Sequence, residues 1–266
     1  MLALLTSGGC GGGVASTSGP AERGGIRRSS CFLLYELGVG EVRHNPDGAC
    51  GDRLTPASTF KIPHALAGLD SGVLAGPDVT FSYDGSLGAD APAIWKRDHT
   101  LATAMRYSVV WYFQRLATQL GDRREREYLT RFDYGNQDSS SGLTTFWLDE
   151  SLRIAPTEQE AFMVRLYEDA LPVSHEAMRV VREILVQPRG VVVTALGEHA
   201  FDAPWPDGTI VSAKTGSSDN VTWLVGHVRR EQRAWVFVSC VVGPWEREPL
   251  AAIRLAAVSL REAHVL

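Results

Sequence analysis

Ser58 and Lys61 stand three residues apart in Ser58-Thr-Phe-Lys61. On a helix, residues i and i+3 share a face, so this hydroxyl and this amine can meet. A serine is a weak nucleophile until a neighbouring base takes its proton. A helix N-terminus also favours negative charge developing beside it. Lys214-Thr215-Gly216 offers a different chemistry: a cation for a carboxylate, a hydroxyl next to it, and a glycine that lets a ligand lie against a strand edge. Each motif alone is weak, because short patterns recur by chance. Lysine usage adds weight. Of 26 basic residues, only Lys61, Lys96 and Lys214 are lysines. A buried lysine can shed its proton and an arginine in practice cannot. A lysine kept in an arginine-rich chain therefore marks a place where that ability matters. Lys96, between Trp95 and Arg97-Asp98, reads instead as a solvated surface charge.

These residues need elements to position them. Pro56-Ala57-Ser58 starts a helix, with proline near its first turn and the apolar stripe Ile62, Leu66, Leu69 behind it. Before it, Cys31 to Leu37, a turn at Gly38 and Gly40, and Glu41 to His44 read as a hairpin. Leu101 to Leu120 reads as a helix or a close pair of helices. Thr157 to Tyr167 reads as a helix with Thr157 as cap and Glu160 three residues on. Ser174 caps another that runs to Leu185. The last third changes character: 190–195, 208–214, 221–229 and 233–242 read as strands, and 249–263 as an amphipathic helix. Strands at both ends and helices between them predict an α/β (α+β) chain, an antiparallel sheet flanked by helices plus an all-helical region. The expected organisation is a lead over 1–25, a mixed sheet and helix domain over 26–75 and 185–266, and a helical region over 76–184.

Composition narrows the classes. With 266 residues, 44% of them hydrophobic, the chain can bury a core without metal or disulfide staples. A net charge of −5 argues against a nucleic-acid partner. No apolar stretch approaches the ~20 residues of a spanning helix, so no transmembrane span is expected. The Gly/Ser-rich segment from Ser7 to Gly25 reads as a disordered lead, as the end of a signal peptide, or as a degraded lipoprotein signal with Cys10 as anchor. Cys31 and Cys50 flank the hairpin, and either a disulfide or two buried thiols fits that placement. Cys240 falls inside an apolar strand. No Cys/His spacing suggests a metal.

Order changes the meaning of the two motifs. Ser58-x-x-Lys61, then Ser108-Val-Val110, then Lys214-Thr-Gly216 is the arrangement of serine β-lactamases and penicillin-binding proteins. Tyr134-Gly-Asn136, Phe146-Trp147-Leu148 and Trp223-Leu-Val-Gly226 complete a set that resembles the class D (oxacillinase) β-lactamases from about Cys31 to the C-terminus. Ser218-Asp219-Asn220 follows Lys214-Thr-Gly216 instead of preceding it, so it reads as a turn and not as the S-D-N of class A.

The resemblance implies opening of the β-lactam ring of penicillin-type antibiotics through an ester on Ser58. It implies that Lys61, in an apolar pocket near Val110, Trp147 and Leu148, carries carbon dioxide as N6-carboxylysine and acts as general base, with no other cofactor. Trp147 would hold the carbamate. Ser108, bridging toward Lys214, would protonate the leaving nitrogen, and Ser58 and Ser217 N–H groups would form the oxyanion hole. Thr215, Gly216 and Ser217 would contact substrate, and Val110 and Leu148 would gate water. The family's carboxylate-binding arginine matches Arg254 best, with Arg261 as rival. A periplasmic or secreted location follows from where the targets of these drugs lie. The competing expectations are a soluble β-lactam sensor that acylates without turnover, a small D,D-peptidase, and an inert relative.

Overall fold

Alternating β-branched and aromatic residues form the strands, and their two faces are both apolar. The computed structural model describes residues 29–44, 50–148, 151–201, 205–243 and 249–266. The lead over 1–25, with Cys10, lies outside them. Strands β1 (Ser29–Glu36), β2 (Gly40–His44), β7 (Ile210–Ser218), β8 (Val221–Arg230) and β9 (Arg233–Val242) make a five-stranded sheet in the order β2-β1-β9-β8-β7. Every pair is antiparallel. The first strands of the chain thus pair with the last, as the sequence implies. On one face Phe32, Leu34, Leu224, Trp235 and Phe237 pack on helix α6 (Ala251–Glu262) through Ala252, Ile253, Ala256 and Leu260. On the other, Leu33, Trp223, Val225, Val236 and Val238 join the larger core of the remaining helices. A sheet covered on both sides reads as continuous apolar runs, which is why Val221 to Val228 is buried throughout.

Helices α1 (Lys61–Asp70), α2 (Leu101–Arg106), α3 (Val110–Phe132), α4 (Pro156–Tyr167) and α5 (His175–Ile184) fill the other side. Leu101 to Leu120 is indeed a pair, broken at Tyr107 to Val109, but α3 runs on to Phe132. Gly121, at φ 77° and ψ 156°, interrupts it without ending it. Beyond that break Glu125, Tyr128, Leu129 and Phe132 form a buried stripe. The cap of α4 also differs from expectation. Ala155 is the N-cap, Pro156 takes the first turn, and Glu158 accepts the Ala155 N–H at 2.8 Å. Thr157 lies inside the helix because proline, needing no N–H partner, fits the position before it. Ser174 caps α5 as its sequence suggests, accepting from the Ala177 N–H. β5 (Val191–Thr194) is the strand read over 190–195, but its partner β6 (Gly197–Ala200) and the short pair β3 (Thr80–Phe81) with β4 (His99–Thr100) escape the sequence reading. Cys31 and Cys50 form a disulfide, and Cys240 is a buried free thiol. No helix among the described residues is long and apolar enough to cross a membrane.

Candidate active site

The site forms where the start of α1 meets the outer strand of the sheet. Ala57 to Phe60 make a single 3-10 turn leading into α1, held by the Thr59 N–H to Pro56 carbonyl bond. A second brace comes from Gln159, whose Nε2 donates to Thr59 Oγ1 at 2.6 Å and whose Oε1 accepts from Tyr134 OH at 3.2 Å. The turn presents Ser58 beside the Lys61 amine: Nζ to Oγ is 2.7 Å. Lys61 is 0% exposed. Burial holds its pKa well below the usual lysine value, and the nearby Lys214 lowers it further. A neutral amine with a free lone pair is what a base for Ser58 requires.

Around Lys61 the walls are aromatic. The Nζ lies 5.5 Å from the centroid of the Phe113 ring. Phe60 stacks on Trp147, and Phe146 meets Trp147 edge-on at 5.0 Å. The Trp147 side chain is buried and its indole N–H has no acceptor. A buried donor without a partner is costly, so this one points to a missing acceptor in the site. Leu148 is partly buried and lines a groove with Ala57 and Ser217. Val110, half-buried, opens α3 directly after Ser108 and Val109.

Ser108 occupies the corner between α2 and α3 in a left-handed conformation, φ 56°. Such a backbone costs a non-glycine residue about 1–3 kcal/mol and recurs where function fixes a side chain. Its Oγ accepts from Lys214 Nζ at 2.9 Å, and the same amine donates to the Thr215 carbonyl at 2.8 Å. Lys214 is 4% exposed, and burial brings its pKa down to about 7.

The edge of β7 supplies donors. The Ala213 N–H and the Val211 carbonyl bond outward, to the Leu185 carbonyl and the Gln187 N–H. Backbone direction repeats every second residue, so Thr215 and Ser217 also face outward. Among the described residues no strand covers the Thr215 to Ser217 part of that edge, because β7 ends the sheet. The Ser217 N–H is therefore available on the side where Ser58 lies. Gly216 permits this approach. A Cβ there would come within 2.9 Å of the Pro56 carbonyl oxygen and the Thr59 methyl.

The cleft that joins Ser58, Ser108, Thr215 and Ser217 is walled by Trp95, Leu196, Leu250 and Ile253. Sequence reasoning missed these four. Trp95 ends a single 3-10 turn and Leu196 lies in the turn between β5 and β6, and neither place carries a periodic signal. Arg254 lies on α6, exposed, and is not among the residues that line the cleft, whereas Leu250, Ala252 and Ile253 are. Arg261, about two turns further on, is exposed as well. Tyr134-Gly-Asn136 acts on the fold. Asn136 bonds the backbone of Ser151 and Arg153, and a Cβ on Gly135 would lie 2.0 Å from the Arg153 carbonyl oxygen.

The penicillin-binding-protein transpeptidase domain model matches residues 25–253. The chain is 39% identical over 186 residues to β-lactamase OXA-48 of Klebsiella pneumoniae, spanning 68% of this chain and 63% of that relative. It is 32% identical over 238 residues to β-lactamase OXA-10 of Pseudomonas aeruginosa, spanning 89% and 85%. Among solved structures, the class D β-lactamase BAT-2 superposes with a TM-score of 0.77 at 30% identity, covering 90% of this chain and 93% of that one.

Proposed function

The chain belongs to the class D serine β-lactamases, and from that premise we propose that it hydrolyses the β-lactam ring of penicillin-type antibiotics through an ester on Ser58. The observation that carries this is the 2.7 Å contact between Ser58 Oγ and a wholly buried Lys61 amine. Ser58 Oγ attacks the lactam carbonyl and its proton passes to Lys61. The Ser58 and Ser217 N–H groups face the oxygen that gains charge. The ring C–N bond then breaks, the nitrogen takes the proton of Ser108 Oγ, which Lys214 Nζ holds in place, and the proton that left Ser58 passes from Lys61 to Ser108, so that Lys61 is free again. Water next gives a proton to Lys61 and its hydroxyl to the ester carbon, and as the ester bond breaks Lys61 returns that proton to Ser58 Oγ. The substrate carboxylate is assigned to Lys214, Thr215 and Ser217, and Arg254, exposed on α6, is the arginine that the family resemblance offers to it.

Lys61 is assigned as N6-carboxylysine. The residues fit that group: the amine is buried, which holds its pKa well below the usual lysine value, and the Trp147 N–H lacks an acceptor. Trp147 and Ser58 would hold it, and carbon dioxide fixed there supplies a carboxylate oxygen as the base. A periplasmic or secreted location is supported by the Cys31–Cys50 disulfide, since such bonds persist in oxidising compartments.

The test is hydrolysis of benzylpenicillin and of a chromogenic cephalosporin, with and without added bicarbonate. Sustained turnover that rises with bicarbonate is expected. A single stoichiometric burst, leaving a stable adduct, would make the protein a sensor or transpeptidase.

A further inference from the structure

Directly behind the site lies a pair of ionisable residues that the mechanism above does not use. His64, one turn along α1 from Lys61, and Glu125, in the segment of α3 beyond the Gly121 break, are 0% and 2% exposed in their side chains. His64 Nε2 lies 3.0 Å from Glu125 Oε1. The approach is off the line of a hydrogen bond, so these two atoms and His64 Nδ1 have no hydrogen-bond partner. The rings around His64 are those of the lysine pocket: Phe60 at 4.4 Å, Trp147 edge-on at 4.5 Å, and Phe113, the ring that lies beside Lys61 Nζ.

A buried His–Glu pair in an aromatic box is poor material for stability. Taking both groups out of water costs as much as their attraction returns, and an apolar pair of similar volume is often no worse. Such a pair more often fixes a unique geometry. What it fixes here is the Trp147 ring. The His64 imidazole stands perpendicular to the indole, at 86°, and Glu125 anchors the imidazole from the opposite helix. The indole N–H, like the imidazole nitrogens, is left without a hydrogen-bond partner.

We propose that His64 and Glu125 are a positioning pair: they lock the Trp147 indole so that its N–H stays available to Lys61, and they thereby set how firmly Lys61 holds its carbamate. This rests on the assignment of Lys61 as N6-carboxylysine. Neither residue touches the reacting atoms, and neither gives or takes a proton in the reaction.

The test uses the full chain, with two variants: Glu125→Gln, and the apolar double replacement His64→Phe with Glu125→Leu. The double variant leaves no unpaired buried charge, so it keeps the experiment valid if the single variant folds poorly. Two quantities are read for each: the bicarbonate concentration giving half-maximal benzylpenicillin turnover, and the carbamate carbon-13 signal with labelled bicarbonate. Partners of this outer kind are worth about ten- to hundredfold in retention of the group they orient. The expected result is a half-maximal bicarbonate concentration raised about tenfold or more, with the carbamate signal weakened to match, KM unchanged, and turnover restored by excess bicarbonate. Wild-type values for both readouts in folded variants would overturn the positioning role and leave the Lys61 assignment standing. Absence of the carbamate signal in the wild type itself would overturn that assignment, and this proposal with it.

Discussion

Lys61 and Lys214 are both buried, and both are held toward the neutral form, yet their surroundings differ. Lys61 has the Ser58 hydroxyl and rings around it, whereas Lys214 bonds Ser108 and a carbonyl. The first is arranged as a base and the second as a donor. A lysine whose folded pKa lies below its unfolded value binds fewer protons when folded. Stability therefore rises with pH between the two values. For Lys214 that window runs from about 7 up to the unfolded lysine value, and Lys61, held well below its usual value by burial, adds to the rise in the same direction. Lys61→Met should accordingly melt at a higher temperature than wild type at pH 7, show a flatter rise in stability from pH 7 to 10, and lack turnover; thermal melts across pH check this. Ser108 separates strain from chemistry. Ser108→Ala and Ser108→Gly both lose the hydroxyl and should lose about 100-fold or more in kcat. The glycine variant should be the more stable of the two by about 1 kcal/mol, because only it relieves the positive φ. Equal urea midpoints would remove strain as the explanation.

At the scale of elements, the nucleophile turn and the outer strand meet because glycines let them. Gly226 on β8 sits where a Cβ would be 2.4 Å from the Ser212 carbonyl oxygen and 2.6 Å from Phe237 Cζ. Gly226→Ala should therefore destabilise the sheet by about 3 kcal/mol or more, measured by urea unfolding, and a change under 0.5 kcal/mol would show that the neighbours yield easily. Much of this was legible in the sequence. The strands at both ends, the Ser174 cap and the serine–lysine spacing all came from local pattern, and local pattern is what residues i to i+4 report. The rest depended on distant partners. Glu125 hid in plain view: the stripe Glu125, Tyr128, Leu129, Phe132 has helical spacing, but a glutamate at a core position reads as a break in the stripe. The cleft walls Trp95 and Leu196 come from loops whose meeting no periodicity encodes. Arg254 is offered to the cleft by family spacing alone, and that spacing does not carry the side-chain direction an α6 residue takes.

For the molecule as a whole, the chain closes on itself: β1 from the front of the sequence lies beside β9 from the back, and the Cys31–Cys50 disulfide ties β1 to the segment leading into Ser58. The bond spans a sequence separation of 19, for which the chain-entropy model gives about 3 kcal/mol. Cys50→Ala, or reduction of the folded protein, should lower the melting temperature while leaving KM for benzylpenicillin near the wild-type value, since neither cysteine lines the cleft.

The central claim is that one serine forms the ester and one lysine is needed to release it. Intact-mass measurement after rapid mixing with benzylpenicillin, in the wild type and in Lys61→Ala, tests this most directly. The expected result is an adduct on Ser58 that appears and decays within the wild-type turnover time, and in Lys61→Ala forms slowly and persists. Equal decay in the two proteins, or an adduct on any residue other than Ser58, would contradict it.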